Sequence, residues 1–81
     1  MIFDGFVPVE GSPLYRQIIR HIQRGLAAGT IRFGDELPSR RTLSALLGVN
    51  PNTVQKAYRI LEEEGIIASH TGAKSLVTAD G

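Results

Sequence analysis

Residues 37–61, LPSRRTLSALLGVNPNTVQKAYRIL, constrain the fold of this chain more than any other stretch. They hold two short apolar patterns at helical spacing, joined by Gly48-Val49-Asn50. Glycine at position 48 takes positive φ without steric cost, so the chain can reverse there within a few residues. Leu43, Leu47, Val49, Val54 and Ala57 are apolar where two such helices would meet, and Ser44 is small where the second must approach closely. Each position alone is a weak signal. Jointly they imply two helices crossing steeply through a tight turn, a helix-turn-helix.

Charge collects on the same stretch. Between residues 39 and 59 there are four basic side chains (Arg40, Arg41, Lys56, Arg59) and no acidic one, while the whole chain carries only +1. The net charge would not point to nucleic acid; its distribution does. Eighty-one residues make one domain near the lower end of what folds alone, too small for a deep cleft but able to present a surface. A hydrophobic fraction of 42% at periodic positions argues against disorder. Without cysteine there is neither a disulfide nor a thiolate metal site. The apolar runs fall well short of the roughly 18 residues of a membrane span. The start, Met1-Ile2-Phe3-Asp4, lacks the basic and long apolar segments of a secretory signal, so a cytoplasmic location is expected.

Residues 1–11 read as an extended N-terminal segment, because Gly5, Pro8 and Gly11 oppose a helix and Ile2, Phe3, Phe6 and Val7 need something to pack on. Ser12 is expected to cap a first helix with Pro13 at its first position. Leu14, Ile18, Ile22 and Leu26, flanked by Tyr15 and Ile19, form its buried side. Arg16, Arg20 and Arg24 form an opposite row that reads as a solvated face. Gly29 ends the helix; Gly25 inside it costs about 1 kcal/mol against alanine and suggests close packing of a neighbour. Residues 30–38 read as a connection, with a turn at Gly34-Asp35. Ser39 caps a second helix, about 39–47, that buries Leu43, Leu46 and Leu47. Asn50 caps the third, with Pro51 first, a buried stripe of Val54, Ala57, Tyr58 and Leu61, and a stop at Gly65. Residues 66–69 and 75–78 read as two strands of a hairpin. The expected fold is therefore mainly α with a small β-hairpin: three helices and a two-stranded wing over residues 12–78, followed by a tail at 79–81.

The core stripe of the third helix leaves Asn52, Gln55, Lys56 and Arg59 facing out. Asparagine and glutamine pair bidentately with adenine in the major groove, whereas lysine and arginine favour guanine or phosphate. The helix start, Asn50-Pro51-Asn52-Thr53, is expected to offer free N–H groups and a positive dipole end to a phosphate. Recognition helices enter the groove by that end, and Glu62, Glu63 and Glu64 lie at the other. Arg40 and Arg41 oppose the dipole of the second helix, which a phosphate partner would explain. Gly72 and Lys74 read either as a wing tip touching DNA or as a plain hairpin turn. His21 and His70 read as isolated surface residues and make no metal site. Neither has an evident carboxylate partner, so no catalytic group assembles and no cofactor is implied.

The chain resembles the N-terminal DNA-binding domain of the GntR family of bacterial transcription regulators. The matching residues are Pro13-Leu14-Tyr15-Arg16-Gln17-Ile18, the run from Gly34 to Arg41, the run from Leu47 to Val54, Ala57-Tyr58, and Leu61-Glu62-Glu63-Glu64-Gly65. The Pro-Leu-Tyr-x-Gln start and the Val-Asn-Pro-Asn-Thr-Val turn resemble the YtrA-type branch most. The resemblance implies a winged helix that binds double-stranded operator DNA as a homodimer, most simply as a repressor. It implies DNA contacts by the residue matching Arg41, by Asn50, Pro51, Asn52 and Thr53, by Gln55, and by the wing residues Thr71 and Gly72. Gln55 stands where many relatives carry arginine, Arg40 where an acidic or apolar residue is common, and the wing His70-Thr71-Gly72-Ala73-Lys74 is less basic than the usual turn. Family members carry a C-terminal domain that senses an effector ligand and often dimerises, and the sequence ends at Gly81, short of one.

Two other readings stand beside this one. A winged helix can serve protein contact alone, through Ile2, Phe3, Phe6 and Val7. The domain can also head a regulator fused to an aminotransferase-like domain, as in the MocR branch, although the Asn-Pro-Asn turn fits that branch less well.

Overall fold

The computed structural model describes residues 2–69 and 75–79. Its elements run α1 (Leu14–Ala28), β1 (Glu36–Leu37), α2 (Arg40–Leu47), α3 (Pro51–Glu63), β2 (Ile67–Ser69) and β3 (Ser75–Val77). α3 lies at the centre and packs on α1, α2 and β2. The core is continuous across these elements: Ile18 and Ile22 from α1, Leu43 from α2, Val54, Ala57, Tyr58 and Leu61 from α3, and Leu37, Ile67 and Val77 from the sheet. The i, i+3, i+4, i+7 stripe expected of α3 is the buried one.

Each helix ends where a left-handed residue lets the chain turn. Gly29 follows α1 with φ 81°, and Gly48 follows α2 with φ 67°. α3 closes in a Schellman arrangement: the Gly65 N–H donates to Glu62 O and the Ile66 N–H to Leu61 O, at 3.0 and 2.9 Å. Gly65, with φ 74°, is the residue that permits it. The N-terminus of α1 departs from expectation. Pro13, not Ser12, is the N-cap, and no side chain caps the helix. Gln17 instead reaches back across the N-terminal segment, accepting from Val9 N–H at 2.8 Å and donating to Val9 O and Ser12 O at 2.8 and 2.9 Å.

The sheet has three strands in the order β1-β3-β2, all antiparallel, rather than two. The stretch that reads as a plain connection contributes β1, with Glu36 opposite Leu76 and Leu37 opposite Ser75. Its partner strand lies far along the chain, so no local alternation announces a two-residue strand. β2 and β3 pair as the expected hairpin, with Ala68 opposite Leu76.

Residues 2–5 form a turn, closed by Phe6 N–H on Phe3 O, instead of an extended segment. Phe3 is buried and Ile2 and Phe6 pack against the core, so these apolar side chains cover α1. His21, expected at the surface, is half-buried in their midst. Its ring stacks on Phe3 at 5.2 Å and meets Phe6 edge-on at 5.1 Å, and its Nε2 donates to Ile2 O at 2.6 Å. Leu46 also departs from expectation: it is 57% exposed, because α2 turns only its Leu43 and Ser44 side fully inward.

Gly25 is explained by Ile31. A Cβ at Gly25 would stand 2.3 Å from Ile31 Cδ1 and 2.5 Å from its Cγ1, in a side chain that is itself buried. Gly25 O also accepts the Thr30 and Ile31 N–H groups that fold the chain back over α1. Gly25→Ala should therefore lower stability in urea unfolding, with overpacking of about 1–3 kcal/mol exceeding the ~1 kcal/mol of helix propensity gained. In an Ile31→Ala background the same substitution should cost less, which additive effects of the two changes would contradict.

Candidate nucleic-acid interface

The helix-turn-helix is held at both ends of α2. At its C-terminus, Gly48 and Val49 N–H both donate to Ser44 O, and the Ser44 hydroxyl turns back onto Arg41 O at 2.9 Å. Ser44 is buried, so its small side chain lets α3 come close without leaving an unpaired hydroxyl. At the N-terminus, the hydroxyl of Tyr58 donates to Pro38 O at 2.8 Å. Tyr58 is wholly buried, and that burial pushes its phenol well above the usual value, so it stays a neutral donor.

This frame presents one face of α3 outward. Asn52, Gln55, Lys56 and Arg59 are all exposed, as is Pro51, while Thr53 is half-buried. Asn52 and Gln55 make no side-chain hydrogen bond among the described residues, so their amides are available for base edges. Arg59 lies 3.9 Å from Glu63 in an exposed i, i+4 pair that is weak enough to exchange for a phosphate. Lys56 leans toward α1, its ammonium 4.1 Å from the centre of the Tyr15 ring. A hydrogen bond from Arg16, and then the Lys56 charge, hold the Tyr15 phenol below its usual value. Tyr15 packs against the core, as its spacing predicts, and its ring also reaches the edge of this face.

The start of α3 is less open than its sequence suggests. Pro51 has no N–H, the Asn52 N–H donates to Asn50 Oδ1 at 2.8 Å, and the Thr53 N–H donates to Asn50 O at 3.0 Å. Asn50 therefore acts as a cap that satisfies its own helix end, and the free N–H groups expected there are taken. α2 differs: Ser39 accepts from Thr42 N–H, while Arg40 and Arg41 occupy the first two positions, where a helix supplies no acceptor for N–H.

The two arginines of α2 part company. Arg41 is exposed, with no partner among the described residues. Arg40 is turned inward: its Nη2 donates to Glu62 Oε1 at 2.5 Å and its guanidinium lies 5.2 Å from the Tyr58 ring centre. The sequence points Arg40 to a phosphate; in this structure its guanidinium meets the carboxylate of Glu62 and the ring of Tyr58. Thr71, Gly72 and Lys74 lie outside the described residues, as does His70. The structure brings Arg41, Asn52, Gln55, Lys56 and Arg59 out to solvent from the helix-turn-helix, and turns Arg40 toward Glu62. Among the described residues no acidic and imidazole side chains cluster as a metal site, and no helix is long and apolar enough to cross a membrane.

Residues 14–77 match the family described as "GntR: Bacterial regulatory proteins, gntR family". The chain is 41% identical over 71 residues to the HTH-type transcriptional repressor YtrA of Bacillus subtilis, covering 88% of this chain and 55% of that one. It superposes on YtrA from Sulfolobus acidocaldarius, a GntR-family transcription factor, with a TM-score of 0.81 at 38% identity, over 93% of this chain and 80% of that one. It also superposes on the AraR DNA-binding domain in complex with operator ORX1, with a TM-score of 0.72 at 26% identity, over 88% of each chain. The chain thus spans about half the length of the bacterial repressor it matches.

The Tyr58–Pro38 hydrogen bond is a test of how this frame is fastened. Tyr58→Phe should cost about 1 kcal/mol in urea unfolding, the usual net worth of one such bond. An unchanged midpoint would mean that ring packing alone fixes the junction.

Proposed function

The chain belongs to the GntR family of bacterial regulatory proteins, and on that premise we propose that it is the sequence-specific DNA-binding head of a bacterial transcription regulator that acts as a repressor. Its family and relatives are transcription regulators, not enzymes. α3 enters the major groove of double-stranded operator DNA. Asn52 and Gln55 read base edges, and Arg41, Lys56 and Arg59 neutralise phosphates. Asn50, Pro51 and Thr53 bring the helix start against the backbone, and the wing residues Thr71, Gly72 and Lys74 add contacts beside it. Repression follows if the occupied operator overlaps a promoter.

The observation that carries this reading is the outward face of α3. Its opposite side is entirely core, whereas Asn52 and Gln55 stand exposed with free amides and Arg41 stands exposed at the start of α2. The operator-bound relative with the same fold supports it. A domain of this size spans half an operator, so the working form is a homodimer on two half-sites, in the cytoplasm, with an effector acting through residues outside this domain.

The test is affinity for a duplex recovered by selection from random DNA, read by fluorescence anisotropy across a salt series. Arg41→Ala should weaken binding and flatten the slope of log K against log salt by about 0.9 for each phosphate no longer neutralised. Gln55→Ala should relax preference at one base pair, worth about 1–3 kcal/mol of discrimination. If the double variant keeps the affinity and slope of the unaltered protein, the reading fails. Artificial dimerisation should favour a palindromic site over a single half-site, and equal affinity for the two would contradict the dimer.

A further inference from the structure

Of the four basic residues between positions 39 and 59, Arg41, Lys56 and Arg59 are exposed and Arg40 is not. The Arg40 and Glu62 side chains are only 25% and 32% exposed, and they meet at 2.5 Å. Arg40 Nε is buried with no acceptor among the described residues, so the guanidinium is sunk between the helices rather than laid along their surface. It does two things at once: one edge meets the Glu62 carboxylate in the last turn of α3, and its plane lies near the Tyr58 ring, 5.2 Å from the centre. The hydroxyl of that same ring holds Pro38, two residues before Arg40.

α2 has eight residues. At ~1.5 Å per residue it is about 12 Å long. The Gly48 turn anchors one end; at the other, Arg40 on Glu62 and Tyr58 adds to the Tyr58–Pro38 hydrogen bond and the burial of Leu43. Over that length even a tilt of roughly 10° would move the α2 start by about 2 Å. The exposed Arg41 sits at that end, so its position relative to the face of α3 is sensitive to how firmly the end is held. A planar guanidinium can lie against a ring and still direct one edge at a carboxylate; an ammonium has no plane to stack and no such fork.

We propose that Arg40 is a positioning residue that, paired with Glu62 over Tyr58, sets the angle between α2 and α3 so that Arg41 and the α3 face meet the same duplex, and that it makes no DNA contact of its own. The inference rests on the DNA-binding reading above. Adjacent arginines then have separate tasks: Arg41 meets the ligand and Arg40 holds the frame.

The experiment uses the 81-residue chain and a duplex selected from random DNA, with affinity measured across a salt series below each variant's unfolding transition. Arg40→Met and Glu62→Gln should each weaken binding about three- to tenfold, with the slope in salt unchanged. Their combination should weaken it no further than either alone. The exchange of charges, Arg40→Glu with Glu62→Arg, should recover part of the affinity. Arg41→Ala serves as the reference that flattens the slope, by about 0.9. Glu62→Gln keeps the side-chain shape and is the variant to rely on if Arg40→Met unfolds. The proposal is overturned if Arg40→Met flattens the slope while Glu62→Gln leaves affinity unchanged or tightens it, because Arg40 would then be a phosphate ligand. Unchanged affinity in both single variants overturns it equally. Failure of the unaltered protein to bind any duplex is a different result, and removes the DNA-binding reading itself.

Discussion

The burial of Tyr58, with its hydroxyl on the carbonyl of Pro38, is the constraint that joins the core of this structure to its helix-turn-helix. Tyr58 is the largest wholly buried side chain among the described residues, and it acts at three points. Its ring belongs to the α3 stripe that fills the core. Its hydroxyl crosses to the junction between β1 and α2. Its face takes the guanidinium of Arg40. Burial holds the phenol well above its ordinary value, so the hydroxyl remains a donor at neutral pH. A recognition helix is useful only if its outward face keeps a fixed relation to the helix before it, and here that relation is set from inside the core.

The charges follow from the same geometry. Arg40 and Glu62 compensate one another between the helices, and Arg59 and Glu63 do so loosely at the surface. Lys56 rests on Tyr15. Arg41 has no partner among the described residues. The cations left exposed on the α2–α3 face, Arg41, Lys56 and Arg59, are thus held or freed one by one by their neighbours, not by the overall charge of the chain.

Much of this fold is legible in the sequence because it is local. The α3 stripe, the caps at Ser39 and Asn50, the left-handed turn at Gly48 and the stop at Gly65 each depend on residues within a turn or two. What is not legible is decided across the chain. β1 exists because Glu36 and Leu37 find β3, and two residues carry no alternation of their own. Arg40 reads as a phosphate ligand because its neighbours are basic, yet its partner lies 22 residues on. His21 reads as isolated because the aromatic rings that enclose it come from a segment folded back over α1. The start of α3 reads as open, whereas Asn50 closes it with its own side chain. Periodicity locates faces; it does not say which polar group on a face is already engaged.

That the outward face of α3 together with Arg41 is the surface that meets DNA is tested most directly by titrating isotope-labelled protein with a selected duplex and following the amide and side-chain NMR signals. The largest changes are expected on Asn52, Gln55, Lys56, Arg59 and Arg41, with the side-chain amides of Asn52 and Gln55 among them. Changes confined to the Arg16, Arg20 and Arg24 row of α1 or to the N-terminal segment, with the signals of α3 undisturbed, would contradict it.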